Sequence, residues 1–209
     1  MHKSILNLSS IKEQIKTNFG LIENLNIIAV SKTFTMTEIE PLLKHGHFHF
    51  GENKIQEAID KWTKVKNNFE NVKLHMIGKL QSNKVKFLMP LFDYLHSLDN
   101  IKLAEKISNE QKKFKKRIKI FIQVNIGNEE QKNGINVSEL EKFHKICIHK
   151  LDLNIVGLMC LPPDKINAVP FFERMKELNN DLGLKELSMG MSSDYMEAIQ
   201  FGSSFIRIG

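Results

Sequence analysis

The stretch Asn26-Ile27-Ile28-Ala29-Val30-Ser31-Lys32 is a short apolar run that ends in a lysine. A continuous apolar run of this kind is typical of a strand buried on both faces, as in a parallel sheet. A capping box at Thr35–Glu38 precedes a helix predicted from Thr37 to Lys44. Lys32 therefore lies where a buried strand meets the next loop, which is the edge where parallel α/β proteins usually place their chemistry.

Further strand-like and helix-like segments follow in alternation along the rest of the chain. The predicted strands are Asn26–Val30, His47–Phe50, Val72–Ile77, Phe92–Ser97, Ile118–Asn125, Leu153–Met159, Leu184–Ser188 and Ser204–Ile208. The predicted helices are Ile5–Phe19, Thr37–Lys44, Ile55–Val65, Asn83–Met89, a helix capped by Asp99 and reaching about Lys113, Val137–His149, Ala168–Asp181 and Tyr195–Gln200.

This alternation predicts parallel strands joined by helical crossovers. The eight strand-like segments favour a closed (β/α)8 TIM barrel, formed by one domain over residues 1–209. An open doubly wound sheet is the alternative, but no Gly-x-Gly-x-x-Gly motif follows the first strand. Because no helix follows the last strand, we expect the leading helix, within residues 1–20, to pack in that place on the outer ring.

Composition and charge limit the classes of partner. The net charge of +6 suits an anionic small molecule but does not by itself indicate nucleic acid, so no nucleic-acid partner is predicted. Cys147 and Cys160 lack CxxC spacing and are expected to be reduced, buried thiols. The sequence contains neither a secretory apolar region nor a segment of transmembrane length, which predicts a cytoplasmic protein without a membrane partner.

Two features of the histidines could suggest chemistry. His45, His47 and His49 would share one face of a strand, but only Glu52 follows at a spacing suited to a metal ligand, so no metal site is predicted. His75 is expected to be a hydrogen-bonded histidine of the core or rim rather than a catalytic base.

Small and polar residues follow the last two predicted strands, opposite Lys32 in a barrel. Such loops commonly form a phosphate site, because glycines let the backbone approach an anion and serines supply hydroxyls. An aldehyde that carries a phosphate would then have its carbonyl at Lys32. Pyridoxal 5′-phosphate (PLP) is such a molecule and forms a Schiff base with lysine. Two simpler readings remain open, a solvated strand end at Lys32 and an ordinary turn and helix cap at Gly190–Ser193.

Several unusual motifs, in order along the chain, resemble the PLP homeostasis protein family, whose members are single-domain relatives of the alanine racemase N-terminal barrel. The matching segments are Ala29–Lys32, His49–Asn53 with Gln56–Ala58, His75–Gly78 with Leu80–Lys84, Gln123–Ile126 with Lys132–Ile135, Gly157–Met159, and Leu187–Ser192 with Gly202 and Arg207–Gly209. The resemblance departs at Leu74, where the family commonly has an aromatic residue, and at Lys79.

The resemblance implies a PLP-binding barrel of the alanine racemase N-terminal type, in which the cofactor is covalently bound to Lys32. Asn53 would lie beside this lysine and the cofactor ring. It also implies a phosphate and ring-nitrogen side formed by Ser188, Gly190, Ser192, Gly202, Ser203, Arg207 and Gly209. An arginine near the ring nitrogen would disfavour its protonation and so weaken the electron sink of PLP enzymes.

A racemase needs a second acid or base on the other face of the cofactor, and the alanine racemases take it from an extra β domain and a partner subunit. The sequence reaches Gly209 directly after the eighth strand, and neither Tyr94 nor Tyr195 is placed as such a donor. We therefore expect a non-catalytic, monomeric or weakly dimeric PLP carrier, with PLP-dependent apoenzymes as transient acceptors. A weak PLP-dependent amino-acid racemase is the alternative, and a Schiff-base aldolase barrel is a more distant one.

Overall fold

The computed structural model of the protein describes residues 2–129, 133–164 and 166–209. Its eight strands are parallel and close into one barrel in the order β1 to β8, which confirms the predicted TIM barrel. The strands are β1 (Asn26–Val30), β2 (His49–Glu52), β3 (Lys73–Met76), β4 (Tyr94–Leu98), β5 (Lys119–Val124), β6 (Ile155–Cys160), β7 (Glu186–Met191) and β8 (Phe205–Ile208). Lys132, part of one motif above, lies outside the described residues.

Helices surround the barrel on its outer side. They are α1 (Lys3–Phe19), α2 (Met36–Lys44), α3 (Ile55–Lys66), α4 (Val85–Leu91), α5 (Ile101–Phe114), α6 (Val137–Lys145), α7 (Val169–Asp181) and α8 (Tyr195–Gln200). A short 3₁₀ turn, Ser82–Lys84, leads into α4, and a π-helical turn, Ile146–Lys150, ends α6. The capping box predicted before α2 is present, with Thr35 and Glu38 bonded reciprocally.

Two strands extend at least two residues further towards their C-terminal ends than the sequence predicts. β2 runs on through Gly51 and Glu52, residues that a sequence reading treats as the start of a loop. A Cβ at Gly51 would lie 2.8 Å from the side chain of Ile28, so a glycine is needed there to let the neighbouring strand pack closely. β7 likewise runs past Ser188 to Met191.

The leading helix α1 packs on the outside of β1 and β8. Its buried residues Leu8 and Ile15 join Ile27 of β1 and Ile206 of β8 in one apolar cluster. The hydroxyl of Tyr195 in α8 donates a hydrogen bond to Oε1 of Gln14, 2.7 Å away. α1 therefore covers the part of the outer ring where a helix after β8 would lie.

The barrel interior is filled by large side chains from five of the strands. Ile28, Tyr94, Phe121, Met159 and Phe205 form its apolar cluster, separate from the larger core between the sheet and the helices. A barrel filled in this way has no pore, so small molecules can bind only at its two ends. Within the described residues, none of the helices combines the length and the apolar character that crossing a membrane requires.

Candidate functional site

Lys32 lies in the turn directly after β1, at the C-terminal end of the barrel. Its side chain is exposed, and it makes no hydrogen bond or ion pair with any described residue. This exposure agrees with a lysine at a solvated strand end, one of the interpretations left open by the sequence, because the residue lies beyond the end of β1. An amine free of partners is nevertheless accessible to an aldehyde.

A buried ion pair supports the turn that carries Lys32. The Glu52 carboxylate, with no exposed side-chain surface, accepts hydrogen bonds at its Oε1 from the Ser31 hydroxyl (2.8 Å) and the Trp62 indole N–H (2.9 Å). Lys61 Nζ lies 2.8 Å from the same oxygen and donates to the Ser31 carbonyl at 2.7 Å. Glu52 and Lys61 therefore hold the residue immediately before Lys32 through both its side chain and its backbone.

The sequence interpretation did not identify this role of Glu52 and considered it only as a metal ligand. The available signal was a glutamate at a position that the register of β2 places against the core. A charge there requires a cation nearby. Lys61 and Trp62 are consecutive residues of α3 that lie almost two turns after its first residue.

Arg207 of β8 is buried, and no carboxylate of the described residues forms an ion pair with it. Its Nη1 donates to the carbonyl and to the hydroxyl of Ser188, at 2.9 and 2.6 Å, and its Nη2 donates to the Cys160 carbonyl at 2.9 Å. Burial lowers the pKa of the Arg207 guanidinium and raises the pKa of the Cys160 thiol to about 12. Since a guanidinium has five N–H groups, donors remain for a ligand.

The loops after β7 and β8 approach each other at the same end of the barrel. The backbone N–H of Gly209 donates to Oγ of Ser192 at 3.1 Å. Gly190 has φ of +91°, and a Cβ there would lie 2.6 Å from Ala198 of α8, so only glycine lets the strand end meet the helix so closely. Gly190, Ser192 and Gly209 therefore lie together beside the end of β1.

Asn53 follows β2 and is half-buried. Its backbone packs against Gly78 after β3, where a Cβ would lie within 2.4 Å of the Asn53 carbonyl oxygen. The barrel order places β2, β1, β8 and β7 side by side. The strand ends that carry Asn53, Lys32, Gly209 and Ser192 are consequently contiguous, and together they form one side of the rim.

Gly202 and Ser203 are not part of this rim. Both precede β8, at the N-terminal end of the barrel, so the structure does not bring these two predicted cofactor-binding residues together with Lys32. The Ser203 hydroxyl is buried and donates to the Met189 carbonyl at 2.6 Å. The motif resemblance placed them on the phosphate side because it follows sequence order, which does not distinguish the two ends of a strand.

Ser188 lies inside the barrel rather than at its rim. Its hydroxyl is fully buried and contacts His96 Nδ1 at 2.7 Å as well as Arg207. The fully buried His75 bonds to His49 and His96, which confirms the expectation of a hydrogen-bonded core histidine. Both cysteines are free and buried, as expected.

Comparison with known proteins agrees with this geometry. Residues 6–209 match the family described as alanine racemase, N-terminal domain. The chain is 34% identical over 194 residues to the pyridoxal phosphate homeostasis protein of Aquifex aeolicus, covering 88% of this chain and 83% of that protein.

Solved structures show the same fold. PipY of Synechococcus elongatus, solved with PLP bound, aligns with a TM-score of 0.86 and 31% identity over 97% of this chain and 95% of its own. Alanine racemase of Clostridium difficile aligns with a TM-score of 0.71 and 15% identity, and this chain covers 55% of it, so that likeness concerns the barrel fold alone. The protein therefore belongs to the pyridoxal phosphate homeostasis protein family, within the alanine racemase N-terminal domain group.

Proposed function

We propose that this protein binds PLP covalently through Lys32 and takes part in intracellular PLP homeostasis by storing the cofactor and passing it to PLP-dependent apoenzymes. The observation that carries the proposal is the pairing of β1 with β8, in which Ile28 is the register partner of Arg207. A free lysine amine in the turn after β1 and a buried arginine in the adjacent strand β8, without a carboxylate partner among the described residues, thus lie on neighbouring elements, with Lys32 four residues beyond the register partner of Arg207.

The residues at the rim fit the groups of PLP. PLP supplies an aldehyde, with which a lysine amine reacts to form a carbon–nitrogen double bond and release water. Gly190, Ser192 and Gly209 suit the phosphate, since they combine a hydroxyl, backbone N–H groups and the N-terminus of α8 in one small region. The remaining donors of Arg207 suit the ring nitrogen, and Asn53 suits the ring edge beside Lys32.

The charge on Arg207 supports a carrier rather than an enzyme. A buried guanidinium beside the ring nitrogen opposes protonation of that nitrogen, which weakens the capacity of PLP to accept electrons from a substrate. The positions of the tyrosines support the same conclusion. Tyr94 is in the barrel interior, stacked on His75, and the Tyr195 hydroxyl bonds to Gln14 of α1. Neither phenol belongs to the rim, so no tyrosine is available there as a second acid or base.

Absorbance spectra of the purified protein with added PLP test the proposed attachment. We expect wild-type protein to acquire the visible band of PLP bonded to an amine, and borohydride reduction followed by peptide mapping to place the adduct on Lys32. Lys32→Ala should lose both signals. Lys79→Ala is the matched control, because Lys79 also follows a strand of the barrel but bonds to Asn133. An adduct that maps to a different lysine in the wild-type protein would refute the assignment.

The racemase alternative makes a separate prediction. Purified PLP-loaded protein incubated with L-alanine should form D-alanine no faster than an equal concentration of free PLP. A turnover rate that exceeds the rate with free PLP and is abolished in Lys32→Ala would establish an enzyme instead of a carrier.

Transfer of PLP to an apoenzyme is measured by the recovery of that apoenzyme's activity. We expect the loaded protein to restore this activity without releasing all its PLP into solution.

A further inference from the structure

A line of hydrogen-bonded histidines crosses the interior of the barrel. His49 of β2, His75 of β3 and His96 of β4 are joined by contacts of 3.0 Å, from His49 Nδ1 to His75 Nε2, and 2.9 Å, from His75 Nδ1 to His96 Nε2. His96 Nδ1 then contacts the Ser188 hydroxyl at 2.7 Å, and Ser188 accepts from Arg207 at 2.6 Å.

Strand register explains how three strands align these rings. His49 is the partner of Lys73, two residues before His75, and His75 is the partner of Tyr94, two residues before His96. Since alternate residues face the same side of a strand, each histidine faces the interior one layer closer to the C-terminal rim than the one before it. The line of histidines therefore runs from the N-terminal end of the barrel towards Arg207.

The hydrogen bonds along this line all have the same direction, from Arg207 and Ser188 through His96 and His75 to His49. A guanidinium only donates, so Ser188 Oγ accepts from Arg207 and its own hydrogen is free to reach His96 Nδ1. His96 Nδ1 is then an acceptor, which places the ring hydrogen on Nε2, where it is donated to His75. The same reasoning places the hydrogen of His75 on its Nε2 and makes His49 Nδ1 the next acceptor.

This direction requires neutral imidazole rings, and the surroundings favour them. His75 and His96 are fully buried, and burial lowers the pKa of both well below the usual value; the charge of Arg207 lowers that of His96 further. Aromatic neighbours hold the rings in place: His75 stacks on Tyr94 at 4.2 Å and His96 on Phe121 at 4.4 Å between ring centroids.

We propose that His96, supported by His75 and His49, is a positioning residue for the cofactor: it orients the Ser188 hydroxyl, which in turn holds Arg207 towards the ring nitrogen of PLP. Without an acceptor at His96, the Ser188 hydrogen has no partner and its oxygen no fixed orientation. Arg207 then loses the defined geometry of one of its three described contacts. This inference rests on the proposed function, because it concerns the same site.

Two replacements of His96 separate positioning from packing. His96→Phe keeps an aromatic ring against Phe121 but removes the acceptor, whereas His96→Gln removes the ring but offers an amide oxygen to Ser188. If His96 acts by positioning, the dissociation constant for PLP should rise roughly tenfold in His96→Phe and stay near the wild-type value in His96→Gln. The visible band of the bound cofactor should shift in the Phe variant alone. A role in packing alone predicts the opposite order, which would overturn the proposal.

His144→Phe is the matched control, because His144 is also buried but lies on α6, outside the barrel. The cofactor-free wild-type protein supplies a test that does not depend on any variant folding. Nitrogen NMR of isotope-labelled histidine rings should show His75 and His96 neutral at neutral pH, each with its hydrogen on Nε2. A hydrogen on Nδ1 of His96, or a charged ring, would overturn the proposal.

The two proposals fail in different ways. If PLP forms no adduct on Lys32 of the wild-type protein, the proposed function fails, while the NMR signals still establish whether the histidine line exists. If PLP bonds to Lys32 but His96→Phe binds it as tightly and with the same spectrum as the wild type, the positioning role fails and the proposed function stands.

Discussion

At the scale of single residues, the turn that carries Lys32 depends on a carboxylate that has almost no contact with water. One carboxylate oxygen of Glu52 is in contact with three donors, and its negative charge compensates the ammonium of Lys61, whose side chain is only 11% exposed. Glu57 also pairs with Lys61 and accepts from the Thr33 N–H, on the other side of Lys32. The backbone on both sides of Lys32 is thus tied to α3.

We expect Glu52→Gln to lower the free energy of unfolding by about 3 kcal/mol, since it leaves the buried Lys61 ammonium with less compensation. Urea denaturation measures the change. Glu141→Gln is the control, because the Glu141–Lys145 pair is exposed on both sides and its loss should leave the free energy of unfolding nearly unchanged. Equal effects for the two variants would show that Glu52 is not a structural ion-pair partner.

The residue scale also shows how far the sequence allowed the site to be predicted. Lys32, Ser192, Arg207 and Gly209 could be identified because each follows or ends a strand, and strand ends are visible in the hydrophobic pattern. The His96–Ser188 contact could not, because it joins side chains across the barrel interior from β4 and β7, which are not neighbouring strands. Which rings meet across an interior depends on the stagger of the strands, and that stagger has no local signal.

At the scale of elements, the barrel depends on glycines that let neighbouring strands approach. A Cβ at Gly157 of β6 would lie 1.9 Å from the Glu186 carbonyl oxygen of β7, a backbone atom that cannot move without opening the sheet. We expect Gly157→Ala to lower the free energy of unfolding by about 3 kcal/mol, measured by urea denaturation.

Gly183→Ala is the comparison for this prediction. Gly183 has φ of +67° and open space around it, so alanine there suffers only backbone strain, on the order of 1 kcal/mol. If Gly157→Ala were no more harmful than Gly183→Ala, the close approach of β6 and β7 would not be a constraint on the fold.

The ends of helices and strands were less predictable than the elements themselves, because contacts elsewhere in the fold can override the local preference of the sequence. The sequence predicted that α4 would stop before Pro90, yet the helix continues to Leu91. Proline lacks an N–H group but its φ is helical, so one proline near the end of a helix costs a single hydrogen bond. β2 was predicted to end before Gly51 and Glu52, where close packing and a buried ion pair override the local preference for a loop.

At the scale of the whole molecule, the number of histidines held neutral by burial makes stability depend on pH. Burial lowers the pKa of His47 to about 4, and it also lowers the pKa of His49, His75, His96 and His144. In the unfolded chain these rings regain a pKa near the usual value of 6.5. As pH falls below that value the unfolded state therefore binds protons that the folded state does not, and unfolding becomes easier.

We expect the free energy of unfolding to change little between about pH 7 and pH 8 and to fall steadily as pH decreases from about 6.5 towards 4, that is, from the usual pKa of histidine to the lowered pKa of His47. His47 alone contributes about 3 kcal/mol over that range, since one unit of pKa shift is worth about 1.4 kcal/mol. Replacing it by Gln should therefore reduce the slope by up to about 1.4 kcal/mol per pH unit relative to the wild-type protein. Urea denaturation at successive pH values measures both slopes. A wild-type stability that did not change between pH 7 and pH 5 would mean that these rings take up protons in the folded barrel as readily as in the unfolded chain, which would contradict the lowering of their pKa by burial.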